Sequence, residues 1–280
     1  MREIDVNNIT ELVSQLCIDA NIYLNEDIKK ALINSAEKED KKIAKNILNV
    51  LIENADIASK ELKPICQDTG MAIIYMDIGM DVHFIGGNLT DAINKGVALG
   101  YTKGYLRKSV LNDPIERKNT NDNTPAIIHY NIVDGDKVKI IAAPKGFGSE
   151  NMSRIKMLPP SAGIDGVKEF VYDTIKSAAS NACPPMIIGI GLGGSMEKCA
   201  DIAKRALLRE IGTKNEDIRL QKLEEELLEN INNMNIGPSG FGGKTTALAV
   251  HINMYAAHIT SLPVCVCTGC HVTRHKEIIL

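Results

Sequence analysis

The sequence contains no tryptophan and only 4 phenylalanines among its 280 residues. Its core must therefore be built from aliphatic side chains. The formal net charge is only −3, so the composition gives no indication of binding to nucleic acid or to an anionic membrane. No apolar run reaches the roughly 18 residues that a membrane span needs. Internal repeats and recognisable linkers are also absent.

The start of the chain lacks the pattern of a secretory signal, since residues 1–12 are polar and helical in spacing. We therefore expect a cytoplasmic, reducing environment for the 7 cysteines. There, thiols are more often ligands, catalytic groups or buried side chains than disulfides. With 44% apolar and 24% charged residues, the composition is that of a globular enzyme long enough for one large domain or two lobes.

Helical and strand-like segments follow one another without a regular alternation. Residues 1–60 carry apolar side chains at helical spacing and predict a helical N-terminal layer, with one helix beginning after Asn25. Residues 61–280 predict mixed strands and helices within the same domain, including a long charged helical segment over 195–233. This pattern favours an α+β or irregular α/β fold for residues 1–280. The expected strands are MAIIYMDIG at 71–79, PAIIHYNIV at 125–133, DKVKIIAAP at 136–144 and PPMIIGIGLGG at 184–194.

Three glycine-rich segments can be compared with phosphate-binding loops. GIGLGG at 189–194 has the form of a dinucleotide-binding loop, but no strand ending in an acidic residue follows at the expected distance. We expect a tight strand-to-helix turn there. GPSGFGGKT at 237–245 has a proline where a phosphate loop requires glycine, so nucleotide binding is a remote alternative. PKGFGSEN at 144–151 either brings backbone amides close to an anion or simply forms a turn.

The cysteines fall into two groups. Cys17 and Cys199 lie on helical stripes and are expected in the core, whereas Cys66, Cys183 and the CVCTGC run at 265–270 lie in loop-like segments. One hypothesis is that CVCTGC forms a local zinc or iron–sulfur corner. The other is that Cys66, Cys183 and one cysteine of the run hold a 4Fe–4S cluster together. That cluster would keep one iron without a protein ligand, as an open Lewis acid. Spacing alone does not decide between the two.

Several motifs occur in an order that resembles one family. They are ICQDTG at 65–70, NTPA at 123–126, PKGFGSEN, NACPP at 181–185 with GIGLGG, GPSGFGGKTTALAV, and the last cysteine with its basic tail. Together they resemble the alpha subunit of class I fumarate hydratase and of the related L-tartrate dehydratase. The resemblance runs from about residue 60 to the C-terminus, and the helical start fits it as well.

The resemblance implies a hydro-lyase with a 4Fe–4S cluster on three cysteines and one open iron. Its reaction would be the reversible hydration of fumarate to L-malate or, alternatively, the dehydration of tartrate. It assigns the cluster to Cys66, Cys183 and Cys270. Because Cys265 and Cys267 depart from the family's usual strand, Cys267 is the alternative third ligand. A non-catalytic iron–sulfur protein is a further alternative. The implied substrate contacts are Gln67, Asp68, Arg107, Gly146, Gly148 and His258, with Asp68 and His258 catalytic.

The family's catalytic base and further basic contacts come from a beta subunit or a C-terminal domain, which these residues do not include. The resemblance therefore implies half an enzyme, active only with a beta subunit and assembled as a heterotetramer of two alpha and two beta chains. If Cys66 holds the cluster, Gln67 and Asp68 lie close to the substrate, because adjacent Cα atoms are about 3.8 Å apart. We expect the ligand loops and the His258 segment to converge on one site.

Overall fold

The computed structural model describes all 280 residues and confirms the α+β class. The helices, in chain order, are α1 Val6–Ile22, α2 Glu26–Lys38, α3 Lys42–Glu61, α4 Leu89–Lys103, α5 Phe147–Glu150, α6 Gly163–Ala178, α7 Met196–Ala206 and α8 Ile218–Asn232. The strands are β1 Arg2–Asp5, β2 Ile73–Gly79, β3 Val82–Ile85, β4 Leu111–Asp113, β5 Lys118–Asn119, β6 Ile127–Val133, β7 Val138–Ala142, β8 Arg154–Leu158, β9 Met186–Gly194, β10 Ala247–Ala257, β11 Leu262–Gly269 and β12 Lys276–Ile279. The four strands expected from the sequence correspond to β2, β6, β7 and β9. None of the helices combines the length and the apolar character that crossing a membrane requires.

The chain divides into two compact units, each with its own sheet and core. The first unit comprises residues 1–24, 55–147 and 274–280, and the second comprises residues 25–54 and 148–273. The helices of residues 1–60 are therefore shared between the units, with α1 in the first and α2 in the second.

The first unit is built on a sheet in the order β12-β7-β2-β6, in which β2 is parallel to β6 and antiparallel to β7. Helices α1 and α4 pack closely because α4 presents Gly96 and Gly100 to α1. A Cβ at Gly96 would lie 2.6 Å from the carbonyl oxygen of Thr10. The core between helices and sheet is aliphatic apart from Tyr101, as the scarcity of aromatic residues predicts; its members include Ile9, Val13, Ile74, Met76, Ile93, Val97 and Ile140.

The second unit is built on a sheet in the order β10-β9-β11-β8, with β9 parallel to β10 and antiparallel to β11. Side chains alternate along β9, as the period of a strand requires. Ile188 and Ile190 join the core that includes residues of α6 and α8. Gly189 and Gly191 meet α7, where a Cβ would lie 2.2 and 2.1 Å from helix carbonyl oxygens. These glycines permit close packing of a helix on a strand.

Two sequence expectations differ from the structure in detail. The strand expected over 184–194 is present as β9, so most of GIGLGG is strand, and the turn expected there is confined to Gly193 and Gly194, with φ of +86° and +72°. The charged segment 195–233 is two helices rather than one, because residues 207–217 between α7 and α8 include Gly212 at φ +94°. The helix expected after Asn25 is present as α2.

Candidate functional site

The Cys66–Gly70 turn, between α3 and β2, is held by its own polar groups. The sulfur of Cys66 accepts the N–H of Asp68 at 3.4 Å. The Asp68 carboxylate accepts the N–H of Gly70 at 3.0 Å through Oδ1 and the N–H of Phe147 at 2.8 Å through Oδ2. The first of these bonds is an Asx turn. The second fixes the carboxylate beside the PKGFGSEN loop, so Asp68 serves the local structure whatever else it does.

Three buried side chains hold the backbone carbonyls of this turn. Arg274 donates from Nη2 to the carbonyl of residue 68 at 2.5 Å. Tyr101 donates from its hydroxyl to the carbonyls of residues 69 and 70 at 2.8 and 3.0 Å, and Asn123 donates to the latter at 3.2 Å. None of the three side chains is more than 4% exposed. Burial raises the pKa of the Tyr101 hydroxyl far above its usual range, so it remains a donor at neutral pH.

The segment that carries Arg107 lies beside the same turn. Thr69 is buried and donates from Oγ1 to the Arg107 carbonyl at 3.0 Å, while the Arg107 side chain is exposed. Just after Arg107, the backbone N–H groups of Ser109 and Val110 donate to the side-chain oxygen of Asn123 at 2.7 and 3.2 Å. The structure therefore brings the backbone at Arg107 next to the Cys66–Gly70 turn and leaves its guanidinium free to meet solvent or a ligand.

The two glycines predicted to contact substrate differ in their surroundings. A Cβ at Gly146 would lie 3.1 Å from Oδ2 of Asp68, which is a tight approach. A Cβ at Gly148 would meet only the carbonyl oxygen of Asn181, at 3.9 Å, which is ordinary contact. Lys145, in the same loop, is 8% exposed and donates to the Gly146 carbonyl at 3.2 Å. The close approach that favours glycine is thus real at Gly146 alone.

In the second unit, Cys183 and Cys270 lie at the same end of the sheet. Cys183 precedes β9 and Cys270 follows β11, its antiparallel neighbour. His271 joins the two loops, since its backbone N–H and its Nδ1 lie 3.4 and 3.0 Å from the Cys183 carbonyl oxygen. The sulfur of Cys270 accepts the N–H of Val272 at 3.4 Å. This is the same arrangement that Cys66 makes with the amide two residues later.

His258 lies at the opposite end of that sheet. It follows β10 and precedes β11, whereas Cys270 comes after the last residue of β11. The eight residues of β11 extend for roughly 23 Å at about 3.3 Å per residue. The side chain is exposed, and Nδ1 lies 2.9 Å from Oγ1 of Thr260. The structure therefore does not bring His258 together with Cys183 and Cys270 of the same chain, in contrast to the expected convergence.

The other four cysteines are buried within helices and strands. Burial raises the pKa of Cys17 to about 12 and that of Cys199 to about 11. It also raises the pKa of Cys265 strongly, with a smaller contribution from neighbouring Cys267. Cys267 lies in β11, where its sulfur is 3.7 Å from the hydroxyl of Ser153. Thiols that resist ionisation are poor ligands, because metals bind the thiolate.

The thiols of Cys66, Cys183 and Cys270 have the chemistry that an iron–sulfur cluster requires, although no three Cys, His, Asp or Glu side chains are gathered at metal-binding distance. Cys183 is exposed and the other two are partly exposed. Backbone N–H groups on the sulfurs of Cys66 and Cys270 stabilise negative charge there. Such bonds also tune clusters held by cysteine thiolates. These residues could therefore hold a cluster.

In the GPSGFGGKT segment, the lysine and the backbone N–H groups that a phosphate would need already bond to other residues of the protein. Lys244 pairs with the Asp40 carboxylate, and its backbone N–H bonds to Glu39 at 2.7 Å. The N–H of Gly243 bonds to the side chain of Asn235 at 2.8 Å. A phosphate-binding loop needs these amides and this lysine for the ligand. The segment is thus a structural loop, which argues against the nucleotide alternative.

Sequence reasoning gave no role to Arg274, Tyr101, Asn123 or Lys145. Two signals were available. Asn123 begins the NTPA motif, and Arg274 belongs to the basic tail after Cys270. Their partners, however, are backbone carbonyls and amides far away in the chain, which no local pattern reveals.

Comparison with known proteins gives concordant results. A family model described as fumarate hydratase (Fumerase) matches residues 10–279. A Methanocaldococcus jannaschii protein provisionally named L(+)-tartrate dehydratase subunit alpha is 41% identical over 272 residues, which is 95% of each chain. The L(+)-tartrate dehydratase subunit alpha of Escherichia coli K12 is 30% identical over 278 residues, covering 98% of this chain and 91% of the relative. A Shigella boydii protein of the same name matches to the same extent.

Proposed function

Since the chain belongs to the fumarate hydratase family, we propose that it is the alpha subunit of an iron–sulfur hydro-lyase. The reaction is the reversible addition of water to the double bond of a four-carbon dicarboxylate. The observation that carries this proposal is the Cys66–Gly70 turn. It joins a thiol that accepts a backbone N–H to a carboxylate fixed by two further N–H groups.

The cluster, when bound to Cys66, Cys183 and Cys270, supplies a Lewis acid that makes hydroxide a better leaving group. The chain's own residues orient the substrate. The bonds from Gly70 and Phe147 leave lone pairs on the Asp68 carboxylate, which can accept a hydrogen bond from a substrate hydroxyl and so orient it. Gln67 and Arg107, both exposed beside the turn, bind the carboxylates. Gly146 lets the loop backbone approach Asp68 and the substrate closely.

A beta subunit completes the enzyme. The relatives named above are called alpha subunits, which supports an enzyme of two kinds of chain. A base must face the carbon that loses its proton, and in this proposal the partner supplies it. His258 contacts the substrate from a turn that stands apart from Cys183 and Cys270 of its own chain. Two alpha and two beta chains in the reducing cytoplasm form the working assembly.

Fumarate and L-malate are the first candidate substrates, in line with the description of the family model. L-Tartrate is the second candidate, favoured by the names of the Methanocaldococcus jannaschii and Escherichia coli relatives. Both are four-carbon dicarboxylates. L-Malate and L-tartrate differ by one hydroxyl group, and a site with a correctly placed hydrogen-bond partner for that hydroxyl distinguishes the two compounds strongly.

The test is anaerobic iron–sulfur reconstitution of the chain with and without its beta subunit, followed by steady-state kinetics on fumarate, L-malate and both tartrates. We expect hydro-lyase activity only from the pair, with one substrate favoured in kcat/KM. Full dehydration of malate by this chain alone would show that the base lies here. A reconstituted pair that takes up iron but dehydrates none of these compounds would overturn the proposed activity.

A further inference from the structure

Arg274 is a buried cation without an anionic partner. Only 4% of the residue is exposed. Its hydrogen bond goes from Nη2 to the carbonyl oxygen of Asp68 at 2.5 Å, and its Nε is buried with no hydrogen-bond partner. A buried guanidinium that lacks a counter-charge is strongly unfavourable, and proteins normally pair such groups. An unpaired one therefore indicates an anion that binds nearby.

A neutral donor could hold the Asp68 carbonyl equally well. Tyr101 and Asn123 do so for the next two carbonyls without any charge. Arg2 makes the corresponding guanidinium bond, to the Asp136 carbonyl at 3.2 Å, but on the exposed surface, where water solvates the charge. What distinguishes Arg274 is therefore its buried charge rather than its hydrogen bond.

Two residues that can carry negative charge lie near this guanidinium: Asp68, through the carboxylate of the residue whose carbonyl it bonds, and Cys66. The Cys66 sulfur lies 3.4 Å from the Asp68 amide nitrogen, and Arg274 lies 2.5 Å from the carbonyl oxygen of the same residue. One residue's backbone is about 3.8 Å long, so the guanidinium nitrogen is within about 10 Å of the sulfur. The nearby carboxylate, that of Asp68, already accepts two backbone N–H groups.

We propose that Arg274 is a positioning residue whose buried charge compensates the negative charge of the cysteine-held cluster at Cys66, while its hydrogen bond fixes the backbone of Asp68. This inference rests on the proposed function, since it requires that Cys66 hold the cluster. Arg274 touches neither the substrate nor the reacting atoms. It acts through the Cys66–Gly70 turn.

The size of the effect follows from the distance. A unit charge about 10 Å from the sulfur, at an effective dielectric constant of about 20, changes a binding equilibrium by about tenfold. Removing the charge while keeping a donor should therefore make the cluster about tenfold easier to lose. Removing the hydrogen-bond donor as well would also loosen the backbone of Asp68. That structural effect has to be distinguished from the effect of the charge.

The experiment uses the full chain reconstituted with its beta subunit and compares Arg274→Lys, which keeps the charge, with Arg274→Gln, which keeps only a donor. Arg2→Gln is the matched control for a guanidinium that bonds a carbonyl on the surface. Iron per chain is followed over time in the presence of a chelator. Hydrogen exchange of residues 66–70 in the cluster-free chain shows whether the turn remains folded.

We expect Arg274→Gln to lose iron about tenfold faster than wild type, Arg274→Lys within about threefold of it, and Arg2→Gln at the wild-type rate. Exchange of the turn should change little in either Arg274 variant. Equal iron loss from Arg274→Lys and Arg274→Gln, fast or slow, would overturn the charge role. So would a variant that keeps its iron but binds the dicarboxylate more weakly, because the guanidinium would then serve the substrate.

Failure of this inference can be distinguished from failure of the proposed function. If the wild-type pair takes up iron and dehydrates a dicarboxylate while the two Arg274 variants behave alike, only the role of Arg274 falls. If the wild-type pair takes up no iron at all, the proposed function fails and the inference fails with it.

Discussion

The Cys66–Gly70 turn and the His258–Ser261 turn carry the two residues predicted to be catalytic, but the protein builds them differently. The first has its carbonyls held by buried side chains from distant parts of the chain. The second bonds only within itself, through contacts of 2.9 and 3.3 Å between His258 and Thr260. Its neighbour Ile259 is 88% exposed. A turn whose carbonyls are bonded by buried side chains is preorganised for a ligand, whereas an exposed turn that bonds only to itself needs contacts from another surface to become rigid.

The difference also separates two kinds of role. Residues of the supported turn can bind a cofactor and orient a substrate without help, because their positions are fixed before a ligand arrives. His258 stands roughly 23 Å along β11 from Cys270. Substitutions at the first turn should therefore affect the cluster and the chemistry, and substitutions at the second should leave the cluster intact.

The largest expected effect concerns the cysteines. Cys66→Ser and Cys270→Ser should abolish iron uptake and lower activity by more than about a thousandfold, because each removes a proposed ligand sulfur that accepts a backbone N–H. Cys267→Ser should change both by less than about threefold, since its thiol is buried within β11. Iron content and the visible absorbance of the reconstituted pair give the answer. Loss of iron in Cys267→Ser with retention in Cys270→Ser would show that the third ligand is Cys267.

Next in size is Asp68→Asn. An amide can accept only one of the two N–H groups that the carboxylate now accepts, so the orientation beside Phe147 weakens and the negative charge is lost. We expect kcat to fall by about a hundredfold or more while iron content is unchanged. Asp77→Asn on β2, where the carboxylate accepts from Asn131 at 3.1 Å, is the matched control. Unchanged kcat in Asp68→Asn would reduce this residue to its role in the turn.

The exposed turn is tested by His258→Ala. We expect kcat to fall by about tenfold to a hundredfold, with iron content equal to wild type, because β11 separates His258 from the cysteine end of its own chain. Under the proposed function, His258 therefore contacts substrate held at the cysteines of another copy of the chain. Mixing Cys270→Ser chains with His258→Ala chains should therefore restore part of the activity. Iron loss in His258→Ala, or no recovery on mixing, would contradict this separation.

The sequence predicted the fold class and four strands, β2, β6 and β7 of the first sheet and β9 of the second, because apolar runs bounded by glycine and proline carry a local signal. It left the glycines of GIGLGG open between strand and turn, since the need for Gly189 and Gly191 comes from α7 packed against them. The motifs also singled out Cys66 and Asp68, which the structure places in one hydrogen-bonded turn. They did not show which carbonyl Arg274 holds or where His258 lies, because sheet order and carbonyl partners are set by contacts between residues far apart in the chain.

The supports of the two turns can be compared through stability. Asn123→Ala removes a side chain that is fully buried and leaves the N–H groups of Ser109 and Val110 and the carbonyl of Gly70 without this partner. We expect unfolding free energy to fall by about 3 kcal/mol, since unsatisfied buried groups each cost about 1–3 kcal/mol. Thr260→Ala, on the exposed turn, should cost less than about 0.5 kcal/mol. Denaturant titration of the isolated chain measures both, and equal losses would remove the distinction between the turns.

The smallest expected effect concerns the loop that contacts Asp68. A methyl group at Gly146 would lie 3.1 Å from Oδ2 of Asp68, whereas one at Gly148 would lie 3.9 Å from its nearest neighbour. At the first distance the carboxylate or the loop has to move by a few tenths of an ångström, and at the second nothing needs to move. Gly146→Ala should therefore raise KM for the dicarboxylate by about threefold to tenfold with iron content unchanged, and Gly148→Ala should leave KM as it is. A rise in KM for both variants would mean that the substrate itself approaches the whole loop. A rise for Gly148→Ala alone would show that the contact between Gly146 and Asp68 is unrelated to substrate binding. The loop at Gly146 would then not belong to the preorganised part of the site.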